Sequence, residues 1–341
     1  MMEIDGAQGE GGGQVLRSSL ALSVCSGTPL RMHGIRAGRR KPGLMRQHQT
    51  AVRLAAQICG ATVEGDRLRS TTLEFVPGAP RAGDYHCAVG TAGSTMLVFQ
   101  TVLWPLLVAE GRSRLVFEGG THNPMAPPFD FIERSLLPVL RAMGAEIEVK
   151  LERAGFYPAG GGRLVVEVEG GPSLAPWRCL ERSGDPEVRG RALLSNLPVD
   201  IGRRELQVVH QRLGWPRSRL GVERVSSDGP GNVVLLEVTH GAMTTVACSF
   251  GTKGVLAEDV SAHAVEQIER FLAANVPVGE HLADQLIIPL ALAGGGSFRT
   301  VSPTLHTRTQ AQIVQRWLPV TIEIIDEGND AARVDVRPRS S

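Results

Sequence analysis

The segment Gly9-Glu10-Gly11-Gly12-Gly13-Gln14 lies just ahead of a stretch that reads as a helix. In that arrangement bare backbone N–H groups and a helix N-terminus can meet phosphate oxygens. The segment lacks the Gly-Lys-Ser/Thr ending of a P-loop and the GxGxxG spacing of a dinucleotide fold, so a plain glycine-rich turn is the competing reading. Glu10 suits the phosphate reading if a divalent metal lies between carboxylate and phosphate, because the two charges otherwise repel. Further on, Arg36, Arg39, Arg40 and Lys41 share one loop. Guanidinium forks grip phosphate oxygens in pairs, although such a run also suits a solvated charged surface. Arg17, on the helix after the glycines, joins the same site if the loop folds back. His306 stands in Ser302-Pro303-Thr304-Leu305-His306-Thr307-Arg308-Thr309-Gln310, at a strand-to-helix junction, and position alone does not separate it from the other histidines. His281, Asp284 and Gln285 fall on one helix face by i, i+3 and i+4 spacing, for ligand contact or for helix capping. No Ser/carboxylate/His grouping, HExxH spacing or zinc-like His/Cys cluster offers a rival chemistry.

These groups need elements to carry them. A pattern of small-residue helix, strand, polar loop, second helix and closing strands occurs three times. The first copy has helices over Val15 to Cys25 and Leu44 to Cys59, with a strand from Leu30 to Ile35. The second has helices over Ser94 to Val108 and Phe131 to Met143, with a strand from Arg114 to Glu118. The third has helices over Leu282 to Leu292 and Gln310 to Trp317, with a strand from Ser297 to Val301. Closing segments one and two are about 84 residues apart and two and three roughly 174, so the third copy carries an insertion of roughly 90 residues. Linker-like residues place the inserted small domain at 177–276, leaving 1–176 and 277–341 as the large domain. The polar loops then hold Arg36 and Arg39, His122 and Asn123, and His306 and Arg308, which either converge on one cleft or face solvent separately.

Composition narrows the class. The 341 residues are 42% apolar with a net charge of +1, enough for two cores and too neutral for wholesale electrostatic binding of a nucleic-acid duplex. Aromatics make up 4% while 40 residues are glycine, which favours a turn-rich α/β enzyme over an aromatic stacking surface. The five cysteines form no CxxC pair and sit in apolar stretches, which points to reduced thiols in an intracellular, cytoplasmic setting. No signal peptide is expected at the start. The most apolar window, Thr95 to Ala109, is shorter than a bilayer span and contains Gln100 and Pro105, so no membrane association is expected.

Taken together, Asp5 to Gln14, Ile35-Arg36-Ala37-Gly38-Arg39, Gly155-Phe156-Tyr157-Pro158-Ala159-Gly160-Gly161-Gly162 and Thr304-Leu305-His306 resemble the RNA 3′-terminal phosphate cyclase family, over nearly the whole chain. The resemblance implies an α/β (α+β) fold: three repeats of a four-stranded sheet with two helices, related to the enolpyruvate transferases, plus a smaller thioredoxin-like insert. It implies ATP and a divalent metal, Mg or Mn, as requirements, and an RNA with a 3′-phosphate end as partner. His306 would be the catalytic nucleophile and carry AMP. Glu10 would bind metal or the ATP phosphates, while Arg17, Arg36, Arg39 and Gln47 would hold phosphate groups. Gln100, Pro127, His281, Asp284 and Gln285 would form the adenosine pocket, with Pro127 and His281 on the base faces. Some family members have Tyr where His281 stands, and Thr307-Arg308-Thr309-Gln310 is more polar than the Leu-Leu-Thr-Asn of bacterial-type members. Arg308 either adds a phosphate contact or faces water. A homodimer is left open.

Two other readings stand beside this one. A non-catalytic relative serving as a scaffold in ribosome assembly would be expected to lack the histidine and parts of the arginine set, all of which this chain has. An enolpyruvate-type transferase would need no nucleophilic histidine and would not label with ATP.

Overall fold

The computed structural model describes residues 1–339. Each repeat opens with a strand that its hydrophobic pattern alone did not announce. The first repeat runs β1 (Met2–Asp5), α1 (Gly13–Ser26), β2 (Leu30–His33), α2 (Arg46–Cys59), β3 (Thr62–Glu64) and β4 (Leu73–Val76). Its sheet has the order β1-β2-β4-β3, with β1 and β2 parallel and the β4 pairings antiparallel. β1 is only four residues long and reads as part of the glycine-rich leader, which hides it.

The second repeat repeats this order with β5 (Asp84–Ala88), α3 (Thr95–Val108), β6 (Gly111–Gly119), a broken helix, β7 (Glu146–Arg153) and β8 (Gly162–Gly170). The single helix expected over Phe131 to Met143 is three pieces: α4 (Phe129–Phe131), a π-helical turn at Ile132–Leu136 and α5 (Leu137–Ala142). Pro138 supplies no N–H to the helix ladder, and the ladder widens just before it.

The third repeat corrects the expected domain boundary. β9 (Trp177–Cys179) pairs in parallel with residues Gly296, Ser297 and Phe298, so 177–179 belongs to the third repeat's sheet and not to the insert. On the far side of the insertion Val278 bridges Thr300, again in parallel, two residues further along the same partner. The insertion is therefore spliced into a strand line, and the chain resumes that line about 100 residues later. Arg182 ties the two crossings together by donating to the carbonyls of Val276 (2.8 Å) and Phe271 (2.6 Å).

Between the crossings lie β10 (Glu187–Ser195), α6 (Val199–Leu213), β11 (Leu220–Arg224), β12 (Gly231–His240), β13 (Met243–Phe250) and α7 (Ala257–Ala274). Their sheet order is β11-β10-β12-β13, with β10 and β11 parallel and the others antiparallel, the thioredoxin-like pattern. The repeat then finishes with α8 (Glu280–Leu292), β14 (Gly296–Val301), α9 (Leu305–Trp317), β15 (Val320–Gly328) and β16 (Ala331–Pro338), in the order β15-β16-β14-β9.

Helix composition explains the layering. α1, α3 and α8 are apolar or small nearly all round, and most of their residues are buried, so they form the centre. α2 and α9 carry polar faces to solvent. Among the described residues no helix is long and apolar enough to cross a membrane, and the five cysteines are all free thiols.

Candidate active site

The first turn of α1 is the hub. Its glycines are needed because charged side chains lie directly over the backbone. A Cβ on Gly12 would sit 2.4 Å from Glu10 Oε2 and 2.5 Å from Arg39 Nη2. On Gly13 it would sit 2.5 Å from both Arg17 Nη1 and His48 Nε2. Gly9 takes a left-handed φ of 59°, and the next amide, of Glu10, donates to Thr309 Oγ1 on α9 (3.1 Å).

Around this turn the expected residues fall into two groups. Glu10 pairs with Arg39 through one oxygen and accepts the Gln14 backbone N–H through the other (3.2 Å). Arg36, in the left-handed region at φ 53°, spends Nη1 on the carbonyls of Lys41 (2.9 Å) and Gly43 (2.8 Å), bracing its own loop. Gln47 accepts the Ser94 N–H (2.8 Å) at the start of α3 and so ties the first repeat to the second. Arg17 differs: among the described residues its guanidinium makes no hydrogen bond or ion pair. Burial drags its pKa down to about 10; Glu10 and Asp284 oppose that shift and Arg36 adds to it. A buried guanidinium without a partner is poised for an anion.

Arg17 lines a cleft of about 460 Å³ together with Gln100, Pro127, His281, Asp284, Gln285 and His306. Seven of the eleven expected residues thus share one cleft, and Glu10, Arg36, Arg39 and Gln47 stand behind or beside the α1 turn. Gln100 donates to Gln285 across the cleft, and Gln285 donates in turn to the His281 carbonyl (3.1 Å). His281 keeps 55% of its side chain exposed.

His306 is not in a loop, as its segment suggested, but in the first turn of α9, which Thr304 caps through the Thr307 N–H (3.3 Å). Its Nδ1 lies 3.1 Å from Gln14 Oε1, and Gln14 Nε2 donates to Asp284 Oδ2 at 2.9 Å. An ionised carboxylate only accepts, so the Gln14 amide must turn its nitrogen to Asp284 and its oxygen to the histidine. Nδ1 therefore carries a proton, and in the neutral ring the lone pair falls on Nε2. Burial pushes the Asp284 carboxyl up to about 7, with Arg17 pulling it back and Glu10 pushing further.

The insert supplies the opposite wall through Val246, Cys248 and Phe250 of β13. A buried ion network docks it there. Arg191 of β10 donates to Asp130 Oδ1 (2.5 Å) and Glu237 Oε1 (2.6 Å), and Asp130 Oδ2 meets His122 Nε2 at 2.9 Å. Burial alone would raise the Asp130 carboxyl, but His122 and Arg191 hold it far below the ordinary range. His122 and Asn123 were candidates for a converging loop. The structure instead buries both, with His122 stacked on Phe156 and Asn123 bonded to the Ala92 carbonyl, so they are structural.

Gln14 and His48 are the residues that sequence reading passed over. Gln14 was visible as the last residue of the glycine segment, but nothing local says that a helix from the far end of the chain meets it. Arg308 is exposed and does not line the cleft. Its neighbours explain the polar stretch: Thr309 takes the Glu10 N–H, and Gln310 accepts from Ser18 (2.7 Å), fastening α9 to α1.

The family model for RNA 3′-terminal phosphate cyclase matches residues 8–324. An RNA 3′-terminal phosphate cyclase of Ectopseudomonas mendocina is 48% identical over 338 residues, covering 98% of both chains. One from Salmonella agona is 45% identical over 342 residues, covering 100% of this chain and 98% of its own. Among solved structures, the enolpyruvyl transferase NikO of Streptomyces tendae aligns at 10% identity and a TM-score of 0.38, over 98% of this chain and 48% of that one, a likeness too remote to bear on function. With Arg17 and His306 on one cleft beside the glycine turn and relatives this close along the whole chain, the protein belongs to the RNA 3′-terminal phosphate cyclase family.

Proposed function

We propose that the protein uses ATP to convert an RNA 3′-phosphate end to a 2′,3′-cyclic phosphate, with AMP held transiently on His306. The observation that carries this reading is the chain Asp284–Gln14–His306 at the cleft, which engages Nδ1 and leaves Nε2 available as the nucleophile.

In the first step the Nε2 lone pair attacks the α-phosphorus of ATP. A P–N bond forms, the bond to the bridging oxygen breaks, and pyrophosphate leaves. Nδ1 keeps its proton, and the positive charge that develops on the ring is stabilised through Gln14 by Asp284. In the second step an oxygen of the RNA 3′-phosphate attacks the same phosphorus, the P–N bond breaks and His306 is restored. In the third the neighbouring 2′-hydroxyl loses its proton and attacks the 3′-phosphorus, and AMP departs. Proximity within one ribose supplies much of that last step.

Arg17 is suited to the phosphate oxygens because it has no partner of its own, and the N-terminus of α1 adds oriented N–H groups. Glu10 offers one carboxylate beside that site, which fits a magnesium or manganese ion held through one carboxylate plus substrate phosphates and water. Such an ion, when bound, would neutralise charge on the leaving phosphates. Gln100 and Gln285 provide amide edges for an adenine, and Pro127 and His281 provide faces for its ring.

The test is incubation with magnesium and ATP labelled at the α-phosphate. Acid-labile label on the wild-type protein that is absent from His306→Ala supports the reading, and the labelled protein should pass AMP to an RNA 3′-phosphate. No label on wild type, under conditions in which a known nucleotidyl transferase labels, rules it out.

A further inference from the structure

His48 is a buried histidine that neither the motifs nor the steps above employ. It is 8% exposed and stands at the third position of α2. Its Nδ1 accepts the Met45 backbone N–H at 3.3 Å, closing the helix start. A backbone N–H can only donate, so Nδ1 is the lone-pair nitrogen and Nε2 bears the hydrogen. That hydrogen has no acceptor among the described residues.

Its position is marked by Gly13. The point where a Gly13 Cβ would stand is 2.5 Å from His48 Nε2 and 2.5 Å from Arg17 Nη1. The two nitrogens therefore lie close together over the first turn of α1, where the N-cap Gly12 has no side chain to cap the helix and Glu10 takes only the Gln14 N–H. Two unpartnered donors and a helix N-terminus meet there, with Arg36 adding positive charge nearby. A helical cap would be satisfied by Nδ1 alone and gives no reason for Nε2 to point at this spot. A phosphoryl oxygen would accept from all three.

We propose that His48 is a phosphate-binding residue whose Nε2–H donates to a phosphoryl oxygen held between Arg17 and the N-terminus of α1. This rests on the ATP-dependent reading above. Two ligands share that chemistry: the pyrophosphate leaving group and the RNA 3′-phosphate. As an uncharged donor among arginines, the imidazole adds a hydrogen bond without adding to their mutual repulsion.

The experiment compares wild type, His48→Ala and His48→Gln as full-length protein, titrated with three probes: inorganic pyrophosphate with magnesium, a short oligonucleotide ending in a 3′-phosphate, and AMP. Loss of a donor to a charged acceptor should weaken binding about tenfold or more in His48→Ala. His48→Gln, whose side-chain NH2 can reach the Nε2 position, should recover most of it, and AMP affinity should stay unchanged. Weakening confined to pyrophosphate assigns the leaving-group site, and weakening confined to the oligonucleotide assigns the RNA end. Wild-type affinity for both in His48→Ala overturns the proposal, as does a folded His48→Gln no better than His48→Ala. Should His48→Ala fail to fold, the wild-type imidazole Nε2–H resonance decides: a shift on adding either phosphate ligand supports the contact, and none with either overturns it. These titrations need no labelling by ATP, so failure of the overall reading shows separately, as wild-type protein that takes no label.

Discussion

Gln14→Met tests the histidine relay with the least disturbance, because methionine keeps the length and volume of glutamine while removing both polar ends. Two bonds go: the 3.1 Å contact to His306 Nδ1 and the 2.9 Å contact to Asp284 Oδ2. A hydrogen bond of this kind contributes about 0.5–1.5 kcal/mol, which is about a twofold to thirteenfold change in rate if it is felt in the transition state. The second effect is on the tautomer. Without an acceptor at Nδ1 the imidazole divides between its two neutral forms, and only one has a lone pair at Nε2. Together these give about a tenfold or greater loss in the single-turnover rate of AMP transfer to the protein.

Gln14 lines the cleft, but methionine keeps its volume, so ATP affinity should stay close to wild type. The assay is a quench time course with α-labelled ATP at several concentrations, which separates rate from affinity. The pH profile adds a readout that simple loss of packing would not move. Protonated Asp284 can donate to the Gln14 oxygen and let the amide turn over, so the wild-type rate should fall as pH drops through about 7. That limb should be missing from Asp284→Asn. A Gln14→Met protein that labels at the wild-type rate would refute the relay.

Three further outcomes follow from the same physics. Arg17→Met should lower kcat/KM for ATP by about tenfold to a hundredfold, the range for a lost charge-assisted bond, and should stabilise the unliganded protein because an unpaired buried charge is removed; steady-state labelling and thermal melts measure the two effects. Glu205, fully buried with one oxygen on Asn232 and the other unpartnered, has its carboxyl pushed up to about 7 by burial. A raised acid binds more protons folded than unfolded, so stability is lost as pH rises from about 4.5 to about 7, and Glu205→Gln should gain up to about 3 kcal/mol over wild type between pH 4.5 and pH 8; denaturant melts with no pH-dependent difference would contradict this. Arg191→Met strands Asp130 and Glu237 without their cation and should cost about 3–5 kcal/mol by denaturant unfolding, with weaker binding of ATP because β13 no longer holds the cleft wall.

What the sequence reveals and what it hides follow one line. Repeats, the second helices and the closing strands are legible because amphipathic periodicity is a local property. The strand at Trp177–Cys179 is not, since three residues carry no period and its partners lie more than a hundred positions away. α6 and β10 of the insert went unread for a related reason: β10 alternates arginines with apolar residues at its start because Arg191 is buried in an ion network that only the fold supplies. The cleft residues followed from family resemblance, and seven of them do share one cavity. Gln14 and His48 were unreadable because what marks them is a direction in space, an amide oxygen aimed at one helix and an imidazole N–H aimed at another.

The proposed phosphate site needs no P-loop, because the helix packing supplies its own cluster of helix starts. Helices of the first and third repeats converge on the start of α1. The first turn of α1 touches three others: α2 through His48 at Gly13, α8 through the Gln14–Asp284 bond, and α9 through the Gln14–His306 bond. Four helix starts, each worth roughly half a positive charge, meet beside three arginines. Two carboxylates only partly offset them: Glu10 is engaged by Arg39, and burial pushes the Asp284 carboxyl up to about 7. Burial strips the Arg17 guanidinium of water and lowers its pKa to about 10, although Glu10 and Asp284 oppose that shift, so an arriving anion would restore what burial removes. His306 on one of the four helices and the Gln14 amide on another are thereby aligned by the same contacts that bring the helix starts together. On the proposed function, phosphate binding and activation of His306 would be one structural feature, because moving α9 away from α1 would undo both at once.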